Sequence, residues 1–204
     1  MRTIKKVASH IFIDGFGGMT QGLFATLIIG TMIQQIGLLI GGSTGNVIYL
    51  LGKAAAALTS AGIGVGVAVK YGESPLVTVS AAVAAMVGGY AGKITGGTFF
   101  VDGNAVLAGP GEPLGAFIAA FAGITCGHLV SGKTKVDIIV TPVITIGAGS
   151  VVGLLVGPPI SHMMTGLGSI INWATEQRPF IMGIVVSVVM GMVLTLPILS
   201  LIHI

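Results

Sequence analysis

Long apolar blocks separated by short polar patches make up almost all of this 204-residue chain. Only 7% of its residues are charged and 53% are hydrophobic. A soluble domain carries about a quarter charged residues, which leaves this chain far short of a water-compatible surface. Its mean hydropathy of +1.04 points the same way. The pattern therefore predicts an integral membrane protein.

Because a spanning helix needs about 20 apolar residues, the blocks can be counted as membrane spans. The predicted spans cover residues 16–40, 47–69, 76–92, 114–130, 138–156 and the block from 180 onward. Residues 1–14 are predicted to form an interfacial amphipathic helix, and 160–177 an interfacial or re-entrant one. The predicted fold class is all-α membrane: a polytopic transmembrane helix bundle with re-entrant segments, in a single domain over 1–204.

The basic residues predict the orientation of the chain in the membrane. A cytoplasmic N-terminus would place six of them inside (Arg2, Lys5, Lys6, Lys70, Lys133, Lys135) and three outside (Lys53, Lys93, Arg178). We therefore expect a cytoplasmic N-terminus in a lipid bilayer. The net charge of +3 is too small and too dispersed to predict a nucleic-acid partner.

The 34 glycines predict close contact between helices. In lipid, small residues let helix backbones approach each other, and flexible glycines permit broken helices beside a cavity. Residues 62–66 and 147–149 are runs of this kind. Many glycines with few aromatic residues are typical of a mobile transporter or channel rather than of a rigid anchor.

The apolar pattern breaks between residues 93 and 115. This segment contains Gly96-Gly97, Asp102-Gly103-Asn104 and the run Gly109-Pro110-Gly111-Glu112-Pro113. It is too apolar for a free loop and too interrupted for a spanning helix. We predict a re-entrant hairpin or paired half-helices, which a membrane tolerates only where they are buried in protein or line water.

Glu112 is the leading candidate for contact with a substrate. An acidic side chain at membrane depth is costly and marks a functional site by default. The adjacent prolines lack backbone donors and the glycines open unusual dihedrals, so the carboxylate and nearby carbonyls can face one cavity. A carboxylate accepts hydrogen bonds from sugar hydroxyls on both oxygens. The alternative is a loop carboxylate in the headgroup region.

Four further residues are weaker candidates for substrate binding. Asp102 and Asn104 lie in the broken segment, although Asp-Gly-Asn is also ordinary turn chemistry. His162 follows a proline pair, and a lone membrane histidine more often bonds to a neighbouring helix. Asn172 is one helical turn from Glu176, beside a tryptophan that suits the membrane interface.

Several classes of chemistry have no sequence signature here. The histidines are isolated and the spacing of metal-binding motifs is absent. The chain also lacks a P-loop, a nucleophile elbow and a dinucleotide fingerprint. We expect no metal, no cofactor and no self-contained catalyst.

Residues 10–30, residues 102–113 and Pro158-Pro159-Ile160-Ser161 resemble the membrane-embedded IIC component of the bacterial phosphotransferase system. The likeness is greatest to the branch that includes PfoR-like regulatory proteins. It implies a homodimeric permease of the bacterial inner membrane. Relatives bind sugar at a Glu-Pro motif, here Glu112-Pro113, and present it to a cytoplasmic IIB subunit. That subunit phosphorylates the sugar with a phosphoryl group from phosphoenolpyruvate.

Two other functions fit the same residues. The chain could be a membrane regulator that signals through residues 133–137, without transport, or a carrier for another small metabolite. At most, it would be the membrane subunit of a sugar phosphotransferase. The resembling family is longer, and the run after Pro197 has no cap, charge or closing loop. We therefore expect a C-terminally truncated chain whose natural form continues past Ile204.

Overall fold

The computed structural model describes residues 10–101, 103–107, 109–175, 183–184, 186–188 and 191. Its helices are α1 (Phe16–Leu23), α2 (Ile29–Ile40), α3 (Gly42–Ala57), α4 (Thr59–Lys70), α5 (Pro75–Gly89), α6 (Ala91–Thr95), α7 (Pro113–Val130) and α8 (Asp137–Thr175). The π-helical segments His10–Gly15 and Phe24–Ile28 precede α1 and α2. Strands β1 (Phe100–Val101) and β2 (Asn104–Ala105) form an antiparallel hairpin.

Among the described residues, three helical stretches are long and apolar enough to cross a membrane: Ile13–Ile40, Pro113–Val130 and Asp137–Trp173. The pair α3 and α4 adds a fourth if its two bent halves form one span. Helix α5 is apolar but shorter. The predicted class, a polytopic bundle of membrane helices, is confirmed.

The predicted span 47–69 is broken in the structure. Helices α3 and α4 meet at an angle of 53°, as in a broken span or a re-entrant loop. The break falls at Leu58, whose backbone leaves the helical region. The Thr59 hydroxyl donates a 2.6 Å hydrogen bond to the Ala56 carbonyl. A side chain therefore satisfies a backbone carbonyl beside the break.

The predicted helix end at Gly157-Pro158-Pro159 is wrong. Helix α8 runs without interruption through Pro142, Pro158 and Pro159 and continues to Thr175. Residues 160–175 are therefore not a separate element. Membrane helices tolerate proline where neighbouring helices support the freed backbone groups, and Gly157 lies directly against Ala91 of α6. Two predicted elements lie largely outside the described residues. They are the helix over 1–14, of which residues 1–9 are not described, and most of the block from 180.

Glycine pairs set the distance between helices, as predicted. A Cβ built on Gly18 of α1 would lie 2.5 Å from the Gly66 carbonyl of α4, and one on Gly88 of α5 would lie 2.4 Å from the Gly115 carbonyl of α7. Both separations are too short for any side chain. Helices α1, α4, α5 and α7 therefore pack backbone against backbone around an apolar core: Met19, Ile63, Val67, Ala68, Val77, Ala81, Ala85, Ala116, Phe117, Ala120 and Ile124.

Between residues 93 and 115, where the apolar pattern breaks, the chain forms a hairpin. It does not form the paired half-helices that were the alternative prediction. Strands β1 and β2 are exposed. The chain then returns to the bundle, and residues 110–112 are partly buried before α7 begins. This return places Glu112 against the ends of α4 and α5.

Candidate functional site

Glu112 lies at the junction between the returning segment and α7. It is the N-cap residue of that helix, and Pro113 occupies the first helical position, where its missing N–H costs nothing. The backbone N–H of Glu112 donates a 2.7 Å hydrogen bond to the carbonyl of Gly89 at the end of α5. The backbone of this residue is therefore held in place by a neighbouring helix.

Two side chains hold the residues just before it. The Ser60 hydroxyl of α4 donates a 2.9 Å hydrogen bond to the Pro110 carbonyl. The buried Tyr90 hydroxyl donates one to the Gly109 carbonyl. The segment between the hairpin and α7 is thus tied to the bundle by side-chain and backbone bonds in succession.

Gly111 is required in this segment. Its φ of +75° is in the left-handed region that side chains disfavour. A Cβ there would also lie 2.5 Å from the Ser60 hydroxyl and 3.0 Å from the Gly89 carbonyl. The glycine allows the backbone to approach α4 and α5 closely enough for the Glu112 bond to form.

A cavity of about 300 Å³ opens beside Glu112. Its polar side chains are Glu112, Lys93 from α6 and Ser161 from α8. The rest of its lining consists of Gly89, Gly92, Pro110 and Gly111. This volume is at the lower end of the range for small-molecule sites. The cavity therefore suits a small polar solute.

The carboxyl and the ammonium group affect each other across this cavity. Burial raises the pKa of the Glu112 carboxyl, and the positive charge of Lys93 partly offsets that increase. The Lys93 Nζ lies 5.3 Å from the centroid of the Tyr90 ring, within cation–π range. One acceptor group and one donor group of opposite charge thus face the same small volume.

The other predicted site residues lie elsewhere. Among the described residues, Glu112 is the only one of the five candidates that lines the cavity. Asn104 is exposed in β2, and His162 is exposed although it follows Ser161 directly. Asn172 is eleven residues beyond Ser161 on α8, roughly 16 Å along the axis. Asp102 lies outside the described residues.

Lys93 and Ser161 were missed as site residues by the sequence analysis. Lys93 was interpreted only as a determinant of orientation. Ser161 lay in one of the segments that carried the family resemblance, and this was its only signal. The two residues are 68 positions apart in the chain, so no local pattern could have paired them with Glu112.

The bundle and its cavity define a polytopic helical membrane protein with a small polar site between its helices. The family described as "Phosphotransferase system, EIIC" matches residues 13–202, and the chain belongs to that family. This confirms the resemblance. Membership implies the membrane permease component of the phosphotransferase system, which works with the other proteins of that system. No curated protein matches the chain. No solved structure does either.

Proposed function

We propose that this chain binds a sugar in the Glu112 cavity and carries it across the bacterial inner membrane for phosphorylation by a cytoplasmic IIB subunit. The observation that carries the proposal is the position of Glu112, whose side chain lines a solute-sized cavity in a chain of the EIIC family. The Glu-Pro pair implied by the resemblance is the pair that begins α7.

The chemistry of the lining supports a hydroxyl-rich solute. An ionised carboxylate only accepts hydrogen bonds, an ammonium group only donates them, and the Ser161 hydroxyl does both. Each sugar hydroxyl is a donor and an acceptor, so it can be satisfied by this set. Hydrogen bonds to charged groups contribute about 1.5–3 kcal/mol each, which makes Glu112 and Lys93 the main sources of affinity.

The orientation and the partners belong to the same proposal. A cytoplasmic N-terminus is supported by the excess of basic residues on the cytoplasmic side of the predicted topology. A homodimer and a separate IIB subunit are supported by the family resemblance.

The test compares the chain with its Glu112→Gln variant in membrane vesicles supplied with the phosphotransfer proteins. The original chain should yield phosphorylated sugar. The variant should insert into the membrane and bind sugar at least about tenfold more weakly, because it loses a charged acceptor. The control is Thr95→Val on α6: the Thr95 side chain is outside the cavity and bonds to the Ala91 and Gly92 carbonyls of its own helix.

The possible results separate the candidate functions. Undiminished sugar binding by Glu112→Gln would reject the site. Sugar binding without phosphorylated product would replace the permease with a regulator, or with a carrier that does not couple transport to phosphorylation.

A further inference from the structure

A second cavity lies at the other end of α7. It is an open cavity of about 460 Å³ lined by Tyr71, Glu73, Phe121, Ile124, Thr125, His128 and Leu129. Glu112 precedes the first residue of α7, whereas His128 is in its last turn. His128 is sixteen positions beyond Glu112, which is roughly 24 Å along the helix. The second cavity is therefore distinct from the Glu112 site.

Glu73 is the charged group of this cavity, and its side chain is only 9% exposed. The Nδ1 atom of His128 lies 3.0 Å from one of its carboxylate oxygens and 3.2 Å from the other. The histidine side chain is 71% exposed, so one partner of the pair lies at the surface and the other is largely shielded. A carboxylate has about four lone-pair sites, and the imidazole contact leaves capacity for the hydroxyls of a ligand.

Aromatic rings form part of the wall around this carboxylate. The Tyr71 and Phe121 rings meet edge to face, with centroids 6.2 Å apart. The Thr125 hydroxyl donates to the Phe121 carbonyl at 2.7 Å, and its oxygen can still accept a bond.

We infer that the Glu73 cavity is a second binding site for a free, hydroxyl-rich solute such as a sugar. An aromatic wall makes dispersion contacts with the C–H face of a sugar ring, while the Glu73 carboxylate and the Thr125 hydroxyl oxygen accept hydrogen bonds at its polar edge. The solute class rests on the proposed function. The site itself rests on the cavity and on its largely shielded Glu73 carboxylate.

A lipid headgroup with glycerol hydroxyls has part of the same chemistry. Its phosphate, however, would bring a second negative charge close to the shielded Glu73 carboxylate, where Coulomb repulsion is stronger than in water. A neutral solute avoids this repulsion. We therefore assign the cavity to the solute rather than to lipid.

The test uses the single cysteine of the chain. Cys126→Ala provides a cysteine-free background, in which Thr125→Cys reports on the second cavity and Ser161→Cys on the first. Maleimide labelling of the purified full chain in detergent is measured with and without glucose, galactose, mannitol or N-acetylglucosamine. At least one of these should slow labelling of Thr125→Cys several-fold. If Thr125→Cys does not fold, Leu129→Cys, also in the lining, replaces it.

Two variants make the assignment specific. Adding Glu73→Gln should raise, by about tenfold or more, the sugar concentration needed to protect Thr125→Cys from labelling. Adding Glu112→Gln should leave that concentration unchanged. Lys135→Cys, exposed in the loop after α7 and outside the cavity, should label at the same rate with and without sugar.

The remaining results overturn one proposal or the other. Protection at Ser161→Cys without protection at Thr125→Cys or Leu129→Cys rejects the second site and leaves the proposed function intact. Protection at the second cavity alone rejects the proposed function only. Protection at neither cavity rejects both. Protection that needs phosphatidylglycerol vesicles and no sugar assigns the second cavity to lipid.

Discussion

The two ends of α7 each have a cavity with a carboxylate, but the cavities are built differently. At the start of the helix, Glu112 is positioned by backbone contacts: its N–H bonds to the Gly89 carbonyl, and three glycines and one proline make up four of the seven lining residues. At the far end, side chains make the contacts. Glu73 pairs with His128, and the Ser74 and Ser131 hydroxyls lie 3.0 Å apart.

This difference indicates how each cavity should respond to mutation. A site formed by the backbone is sensitive to any added side chain, because the backbone atoms have no rotamers with which to adjust. A site formed by side chains, one of them exposed, can lose a contact and relax. Substitutions at both ends of α7, and a pH titration at Glu112, test this contrast.

The largest effect is expected for Gly111→Ala. It combines backbone strain of about 1–2 kcal/mol with overpacking of about 1–3 kcal/mol against Ser60 and Gly89. The matched control is Gly109→Ala, where φ is also positive, at +82°, but a Cβ would meet nothing within 4 Å. Thermal unfolding in detergent should show the larger loss for Gly111→Ala. Equal losses of stability in the two variants would mean that the close approach of Gly111 to Ser60 and Gly89 adds nothing to the destabilisation.

The next effect is a dependence of sugar binding on pH at the Glu112 cavity. Because burial raises the pKa of this carboxyl above 4.5, it takes up its proton at a higher pH than a free side chain does. Binding should weaken as pH falls through that raised pKa, since the protonated group loses its charge and accepts hydrogen bonds less well. Sugar affinity measured across the acidic range gives the midpoint.

Lys93→Met sharpens this prediction. Since the positive charge of Lys93 lowers the pKa of Glu112, its removal should move the midpoint to higher pH. In Glu112→Gln the dependence should vanish. A midpoint that stays in place in Lys93→Met would show that another group titrates.

A smaller effect is expected for Ser74→Ala at the far end. Its hydroxyl oxygen caps α5 by accepting a 3.4 Å bond from the Val77 N–H and lies beside the Ser131 hydroxyl. Loss of an N-cap costs about 1 kcal/mol. The melting temperature in detergent should fall slightly. Ser74→Asp, which keeps an N-cap acceptor, should restore it, and an equal fall in Ser131→Ala, which leaves the cap in place, would assign the loss to the Ser131 contact.

The smallest effect on stability is expected for His128→Gln. A contact between a carboxylate and an exposed imidazole contributes about 1 kcal/mol at most. The unfolding temperature should be nearly unchanged, in contrast with that of Gly111→Ala. A loss as large as that of Gly111→Ala would show that this end of the bundle is as rigid as the other.

The predicted spans 76–92 and 114–130 begin one residue after the observed starts of α5 and α7. Ser74-Pro75 and Glu112-Pro113 each place proline at the first helical position, and α5 and α7 begin there. The same reasoning failed at Pro158-Pro159, where α8 continues. A proline pair is a strong stop signal in an isolated helix, but packing of Gly157 against Ala91 lies outside any local window.

The sequence predicted only part of the candidate site, because the rest depends on packing between distant segments. Glu112 stood out because an acidic residue interrupts an apolar sequence, which one stretch of sequence shows by itself. Lys93 and Ser161 join it only through the packing of α6 and α8 beside the start of α7. The Glu73–His128 pair, 55 residues apart, had no signal in the sequence.

The amino-acid sequence was sufficient to predict the membrane environment and the helical class and to single out Glu112 as a candidate, because these follow from the polarity of neighbouring residues and from the cost of a carboxylate in lipid. Tertiary structure alone decided which side chains share each cavity and that α7 has one at both ends. Those arrangements depend on how closely glycine-bearing helices approach each other, a distance that the complete bundle sets.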